Sequence, residues 1–269
     1  MAIADVQHKS IAELVSLKGR VAVVTGGAQG LGKAMVRRLA EAGAAVLIGD
    51  LDLEKARAAA DDIARTYGAR VIAAALDVTD SAAIAAAADI AERELGGLDI
   101  WVNNAGLYPN LLLHETTDAV WDDVMAVNLR GVFAGCREAA GRMIAAGRQG
   151  VLINVVSTAG FKGVAPGMVA YVASKHGVRG LNRQLAIELA PKGIRVLGVA
   201  PTFCTTEGNS AALAALPDRV REEISATLNS ALGRVGVPDD IARAVLFCAS
   251  DMAMFMTGST LLVDAGETA

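Results

Sequence analysis

The sequence predicts an α/β fold: a parallel sheet with helices packed on both faces. Three observations carry the prediction. Short apolar runs of β type alternate with longer stretches of helical spacing over nearly the whole chain. Those runs are apolar throughout, as strands covered on both faces require, and not alternately apolar and polar. No repeat, low-complexity linker or break in composition interrupts the alternation.

The elements follow in order. Val21–Thr25 (VAVVT) is the first expected strand, leading through glycines into a helix over 31–42. A second strand over 46–49 precedes an Ala-rich helix at Leu53–Tyr67. The run 71–76 leads into a helix over 81–95, with Ser81 as the expected N-cap. Strands over 99–102 and 151–156 flank a long helical region, 117–146. A helix over 169–190, a strand over 194–199, a helix over 238–250 and a last strand, Thr260–Val263, complete the series. The irregular stretch 202–232, with Gly208, Asn209 and Pro217, is expected to form a flap over a site, the alternative being an ordinary surface insertion.

Composition narrows the function classes. At 269 residues the chain can bury a sizeable core, and 53% hydrophobic with 20% charged residues excludes a disordered chain. A net charge of −4 without Lys/Arg blocks gives no footprint for nucleic acid or an anionic membrane. No apolar run approaches the length of a membrane span, and the N-terminus lacks a signal-peptide core. Cys136, Cys204 and Cys248, odd in number and widely spaced, fit a reducing cytoplasm and have no metal-ligand spacing. Residues 1–16 read as an extension to a single domain over 17–269.

The first strand runs into Thr25-Gly26-Gly27-Ala28-Gln29-Gly30-Leu31-Gly32. Glycines bare the backbone N–H groups and allow a pyrophosphate close to a helix N-terminus, whose partial positive charge favours it. The spacing, Gly-x-x-x-Gly-x-Gly, differs from the common dinucleotide fingerprint, and a plain tight turn would use glycines too. Asp50, 18 residues beyond Gly32, ends the second strand, where a carboxylate would accept the adenosine ribose hydroxyls. It would repel a 2′-phosphate by about 4 kcal/mol at ~4 Å and an effective dielectric of ~20. Gln29 supplies no basic partner to offset this, so NAD is expected over NADP. Asp52 lies past the strand end and is expected to face solvent. Asp77-Val78 and Asn103-Asn104-Ala105-Gly106 follow the third and fourth strands, at the sheet edge where ligands sit, although turn or cap residues would read the same way.

Tyr171-Val172-Ala173-Ser174-Lys175 places a phenol and an ammonium four residues apart on one helix face. A nearby cation stabilises the phenolate and turns Tyr into a general acid/base for an alcohol–ketone pair. Ser157, in Asn154-Val155-Val156-Ser157-Thr158-Ala159-Gly160, stands beyond the fifth strand, where its hydroxyl can polarise the reacting oxygen. Asn128 is a polar residue in an apolar helical stretch; it either holds a water on a proton path to Lys175 or bonds the backbone at a helix kink.

These motifs together, TGGAQGLG, Asp50, Asp77, NNAG, Asn128, Ser157 and YVASK, resemble the single-domain short-chain dehydrogenase/reductase family over residues 17–266. The resemblance implies a Rossmann-type, doubly wound parallel sheet of about seven strands with helices on both faces, and a homotetramer. It implies a tetrad of Asn128, Ser157, Tyr171 and Lys175, with Lys175 also bonding the nicotinamide ribose. Gly26, Gln29, Gly30, Leu31 and Gly32 would hold the pyrophosphate; Asp50 and Leu51 would meet the adenosine ribose; Asp77 and Val78 would border the adenine. Asn104, Ala105 and Gly106 would line the cleft, and Pro201, Cys204 and Thr206 would meet the nicotinamide side.

Three departures from the family pattern stand out. The segment from Gly160 to Tyr171 is one residue longer than in many relatives, so Thr158 sits at the commoner distance before Tyr171; the N-x-x-S-x-x-G match favours Ser157, with Thr158 as its competitor. Pro201-Thr202 stands where Pro-Gly is usual, and Leu197 where an Asn is usual. Val263-Asp264-Ala265-Gly266 replaces a common Gly-Gly.

The expected function is an NAD-dependent dehydrogenase/reductase of a secondary alcohol/ketone, with no metal. Leu107, Tyr108, Phe161, Val164, Met168, Phe203, Leu213 and Leu216 would join Ser157 and Tyr171 around the substrate, and their apolar character points to a hydrophobic or cyclic alcohol. Covalent catalysis at Cys204 would need a nearby base, and His8, His114 and His176 match no such pattern. A non-catalytic NAD sensor, or an NAD-retaining epimerase or dehydratase, are the alternatives.

Overall fold

Seven parallel strands form one sheet in the computed structural model, which describes residues 3–209 and 231–269. The strands are β1 (Val21–Thr25), β2 (Ala45–Asp50), β3 (Val71–Ala75), β4 (Ile100–Asn103), β5 (Gly150–Val155), β6 (Ile194–Pro201) and β7 (Thr260–Val263), in the order β3-β2-β1-β4-β5-β6-β7. The helices are α1 (Ile11–Val15), α2 (Gly30–Glu41), α3 (Leu53–Tyr67), α4 (Ser81–Ile90), α5 (Asp118–Met125), α6 (Val132–Ala145), α7 (Val169–Leu189) and α8 (Pro238–Ala249). This is the expected doubly wound sheet. The middle of the expected flap, including Leu213, Leu216 and Pro217, lies outside the described residues.

Continuous apolar strands have the physical consequence predicted for them. Val21 and Val23 of β1 enter one core layer with α4, α6 and α7, while Ala22 and Val24 enter the other with α2, α3 and α8. β4, β5 and β6 divide in the same way: Trp101, Leu152 and Val196 point to the first layer, and Val102, Ile153 and Leu197 to the second. Every residue of β1, β4, β5 and β6 is buried, so β-branched side chains pack on both pleated faces.

Two boundaries differ from expectation. Asp80, not Ser81, caps α4: its carboxylate accepts from Ala82 N at 2.8 Å, and a charged acceptor bonds orphan N–H groups more strongly than a hydroxyl. The stretch expected as one helix is α5 and α6 joined by a π turn, Ala126–Gly131; another π turn, Ala91–Leu95, prolongs α4. At the opposite end of the sheet from the glycine turn, Lys9 and Arg20 both pair with Asp251, and a capping box of Ser10 and Glu13 starts α1.

Candidate active site

The C-terminal ends of β1 and β4 lie side by side, and the residues following them are sewn together. Thr25 Oγ1 accepts from the N–H groups of Asn104 (3.0 Å) and Ala105 (3.1 Å). Asn104 Nδ2 donates to Thr25 O (3.0 Å) and Gly26 O (2.9 Å). A Cβ on Gly32 would lie 2.0 Å from Gly26 O and 2.7 Å from Asn104 Nδ2, so only glycine lets the first turn of α2 fold back on the strand end. Gln29 precedes α2 without capping it through its side chain. The Gly30 N–H instead donates to the Glu207 carboxylate at 2.9 Å, an anion at a helix N-terminus. Leu31 is partly buried against the α2 core layer.

Asp50 ends β2. One carboxylate oxygen accepts from Ala28 N (3.0 Å) and the other from Asp52 N (3.1 Å), which fixes the carboxylate against the glycine turn, with Leu51 exposed beside it. Asp52 is committed elsewhere: it caps α3 through Lys55 N (3.1 Å) and pairs with Lys55 Nζ at 2.9 Å. Asp77 is exposed and folds its own turn, accepting from Thr79 N at 2.8 Å and Thr79 Oγ1 at 2.7 Å. Val78 beside it is half-buried and packs on Gly131. Gly106 is exposed, 3.3 Å (from a built Cβ) from Asn128 Oδ1.

Tyr171 and Lys175 lie on α7, beneath the end of β5. Lys175 is 4% exposed, donates to Val155 O at 2.8 Å and stands 5.6 Å from the centre of the Tyr171 ring. Burial pulls its pKa down to about 8. Ser157 faces the Tyr171 phenol closely enough to favour its ionised form. Burial raises the Tyr171 pKa and outweighs the opposing influence of Ser157; the Tyr108 phenol, whose ring meets Tyr171 edge-on at 6.4 Å, pushes the same way as burial. In the protein alone, then, desolvation governs Tyr171, and not the lowering by Lys175 that the sequence spacing implied. Of the two candidate hydroxyls, Ser157 is the one that influences Tyr171, while Thr158 is buried at the start of a 3₁₀ turn, Thr158–Gly160.

Asn128 is fully buried in the π turn. Its Oδ1 accepts from Leu107 N and its Nδ2 donates to Leu107 O, both at 2.7 Å; Nδ2 also reaches Ser174 Oγ at 3.2 Å. Ser174 in turn donates to Tyr171 O at 2.7 Å. Asn128 thereby ties the loop after β4 to α7, the backbone-bonded arrangement at a helix irregularity. Ser174, three residues beyond Tyr171, is the link that sequence reasoning missed; its place in YVASK was the available signal.

The other expected pocket residues divide. Tyr108 stands exposed over Tyr171, and Met168 immediately precedes α7. Val164 is exposed, whereas the Phe161 ring packs under the Arg179 guanidinium at 3.9 Å, partly buried in the core. Asn110 Nδ2 donates to Pro166 O (3.3 Å) and Leu111 N to Gly167 O (3.0 Å), joining the loops after β4 and β5. Pro201 ends β6, Phe203 is half-buried, and Cys204 forms a bridge to Gly236. Burial raises the Cys204 thiol to about 11, which leaves it protonated and unsuited to nucleophilic attack. Thr206 lies against Gly30, 3.5 Å from where a Cβ would stand. Among the described residues no group of His, Cys, Asp and Glu could hold a metal, and no helix is long and apolar enough to cross a membrane.

A glycine turn that admits no side chain at Gly32, opening onto helix N–H groups and flanked by a strand-end carboxylate, fits a dinucleotide. The family model described as enoyl-(acyl carrier protein) reductase matches residues 26–268. The chain is 42% identical over 254 residues to the cis-4-hydroxycyclohexanecarboxylate dehydrogenase of Sinomonas cyclohexanicum, covering 93% of this chain and 97% of that one. A solved short-chain type dehydrogenase/reductase from Mycobacterium marinum matches with a TM-score of 0.89 at 30% identity, over 97% of this chain and all of that one. A chain from Agrobacterium tumefaciens with NADP bound matches at 0.80 and 36% identity, over 94% and 97% of the two chains. The chain belongs to the short-chain dehydrogenase/reductase family and is an oxidoreductase of alcohol and ketone groups.

Proposed function

We propose that this protein oxidises a hydrophobic or cyclic secondary alcohol, or reduces the corresponding ketone, with NAD as cofactor. The convergence of Tyr171, buried Lys175 at 5.6 Å from its ring, and Ser157 at the end of β5 is the observation that carries the reading. Bound at the glycine turn, the nicotinamide cofactor would accept or donate hydride and, when oxidised, add a positive charge. Tyr171 takes the proton of the alcohol, or returns it to the ketone. Ser157 holds the same oxygen by a hydrogen bond and polarises it. Lys175 holds positive charge next to the phenol and would bond the nicotinamide ribose when the cofactor is present. Asn128 fixes Leu107 and Ser174 around the pair, and a water beside it would complete the proton path from Lys175.

Gly26, Gln29, Gly30, Leu31 and Gly32 would take the pyrophosphate, and Asp50 with Leu51 the adenosine ribose. Asp77 and Val78 would border the adenine; Asn104, Ala105, Gly106, Pro201, Cys204 and Thr206 would line the rest of the cleft. NAD is favoured because the Asp50 carboxylate would face a 2′-phosphate, while Lys55, a cation that feels Asp50, is held by Asp52. Tyr108 edge-on to Tyr171, with Met168 immediately before α7, supports a ring-bearing substrate, as does the cyclic alcohol named for the Sinomonas relative. The unit over 17–269 would carry both cofactor and substrate, in a cytoplasmic homotetramer.

Absorbance at 340 nm tests this with NAD⁺ or NADP⁺ and a panel of aliphatic, cyclic, aromatic and polyol alcohols. NADH formation should be strongest with cyclic alcohols and fall by about 10³-fold or more in Tyr171→Phe. A preference for NADP⁺ would sink the Asp50 argument, and activity that survives in Tyr171→Phe would sink the assignment of the base.

A further inference from the structure

Three segments that frame the cleft meet at the C-terminal turn. Asp264 builds the turn: its carboxylate accepts from Gly266 N (3.2 Å), Thr268 N (3.0 Å) and Thr268 Oγ1 (2.6 Å). Gly266 packs against Ala231, and Glu267 projects between two loops. On one side Lys162, in the loop that carries Ser157, donates to Glu267 O at 3.0 Å and pairs with Glu267 Oε1 at 3.1 Å. On the other, the hydroxyl of Thr202, at the start of the loop that carries Cys204 and Thr206, donates to Glu267 Oε2. One carboxylate therefore holds the loop after β5 and the loop after β6 together.

Both partners lie where the sequence departs from the family pattern. Lys162 belongs to the segment that is one residue longer than usual, and Thr202 replaces the glycine that usually follows Pro201, which could offer no hydroxyl. Lys162 and Glu267 are both about one-third exposed, and an ion pair so placed adds little to global stability. Its consequence is geometric: it sets the distance between the two loops.

Resting on the dehydrogenase reading above, we infer that Glu267 is a positioning residue: by clasping Lys162 and Thr202 it fixes the separation between the Ser157 loop and the Cys204–Thr206 loop, and so the width of the gap in which the alcohol meets the cofactor. Loosening the clasp lets the loops part, so substrate is held less well while the Tyr171–Lys175 pair on α7 is untouched.

The test compares wild type with Glu267→Ala, Glu267→Gln, Lys162→Met and Thr202→Val, using Lys162→Arg and Thr202→Ser as conservative rescues. Glu267→Ala should raise KM for the alcohol about tenfold and leave kcat within about threefold, the pattern of lost ground-state and transition-state binding alike. Tm should move by no more than about 2 °C. Glu267→Ala and Lys162→Met should combine non-additively, and the two rescues should restore KM. Salt at 0.5 M should raise KM in wild type and not in Glu267→Ala.

Hydrogen exchange provides a readout that needs no turnover: in Glu267→Ala, amides of 158–162 and 202–206 should both exchange faster. An active wild type whose KM is unchanged by Glu267→Ala overturns the inference, as does exchange that quickens only in 264–269. A wild type that reduces no cofactor with any alcohol would defeat the dehydrogenase reading instead, and the exchange result would still decide the clasp.

Discussion

Lys175 is a buried ammonium that donates to Val155 O, and its burial has a measurable consequence. Its pKa falls from 10.5 to about 8, so between those values the unfolded chain binds more protons than the folded one, and stability rises with pH across that window. Below about pH 8 the full cost of burying the charge is present, roughly 3 kcal/mol. Lys175→Met should therefore be inactive yet more stable at pH 7, by on the order of 2 kcal/mol once the lost Val155 bond is subtracted. The gain should shrink towards pH 10. Urea midpoints at the two pH values check this, and a Met variant no more stable at pH 7 would refute it. At this scale the sequence was informative wherever a residue's role depends on its own helix: the Tyr171–Lys175 spacing is an i,i+4 relation. It was silent on Ser174 and on the net direction of the Tyr171 shift, because both depend on what other elements pack above α7.

The glycine turn and α2 show how one element's geometry makes the site. With the Gly32 position 2.0 Å from Gly26 O, Gly32→Ala has to move backbone, and the shift breaks the two bonds from Asn104 to Thr25 and Gly26. The variant should lose NADH binding in a fluorescence titration and be destabilised by about 3 kcal/mol. Glu207 acts on the same helix end in the opposite sense. Its carboxylate takes the Gly30 N–H, and a diphosphate drawn to α2 would meet a like charge, so Glu207→Gln should bind NADH several-fold more tightly than wild type. Equal or weaker binding would show that Glu207 does not compete there. Strand and helix positions were legible from apolar spacing almost throughout. The π turn at Ala126–Gly131 was not, because one i→i+5 turn leaves the apolar periodicity of α5 and α6 nearly intact. Asp80 lost to Ser81 in sequence reading for a similar reason: two adjacent capping residue types differ by one position, and only backbone geometry chooses between them.

For the molecule as a whole, the parallel sheet was readable and its neighbour order was not, since strands buried on both faces carry no mark of which partner they prefer. The crossover that seats β4 beside β1 creates the switch point where the glycine turn meets Asn104, and that contact places the cleft. Away from the cleft, α5, the π turn and α6 present a hollow of about 450 Å³ lined by Asp122, Met125, Ala126, Leu129, Arg130 and Phe133. Trp121 and Phe133 are exposed there, and Val169 and Ile187 are exposed on α7, which packs against α5 and the π turn. A chain that left this surface to water would lose the burial of several large side chains. A second copy meeting it about a two-fold axis would bury the same residues twice, with Asp122 and Arg130 as complementary charges. Phe133→Glu tests this association cleanly, because the side chain is 43% exposed and its replacement opens no core cavity. Light scattering should give the mass of an oligomer, four chains on the proposed reading, for wild type, and a smaller species for Phe133→Glu with an unchanged circular dichroism spectrum. A wild type with the mass of one chain would refute the tetramer. An unchanged mass in the variant would move the interface to another face of the molecule.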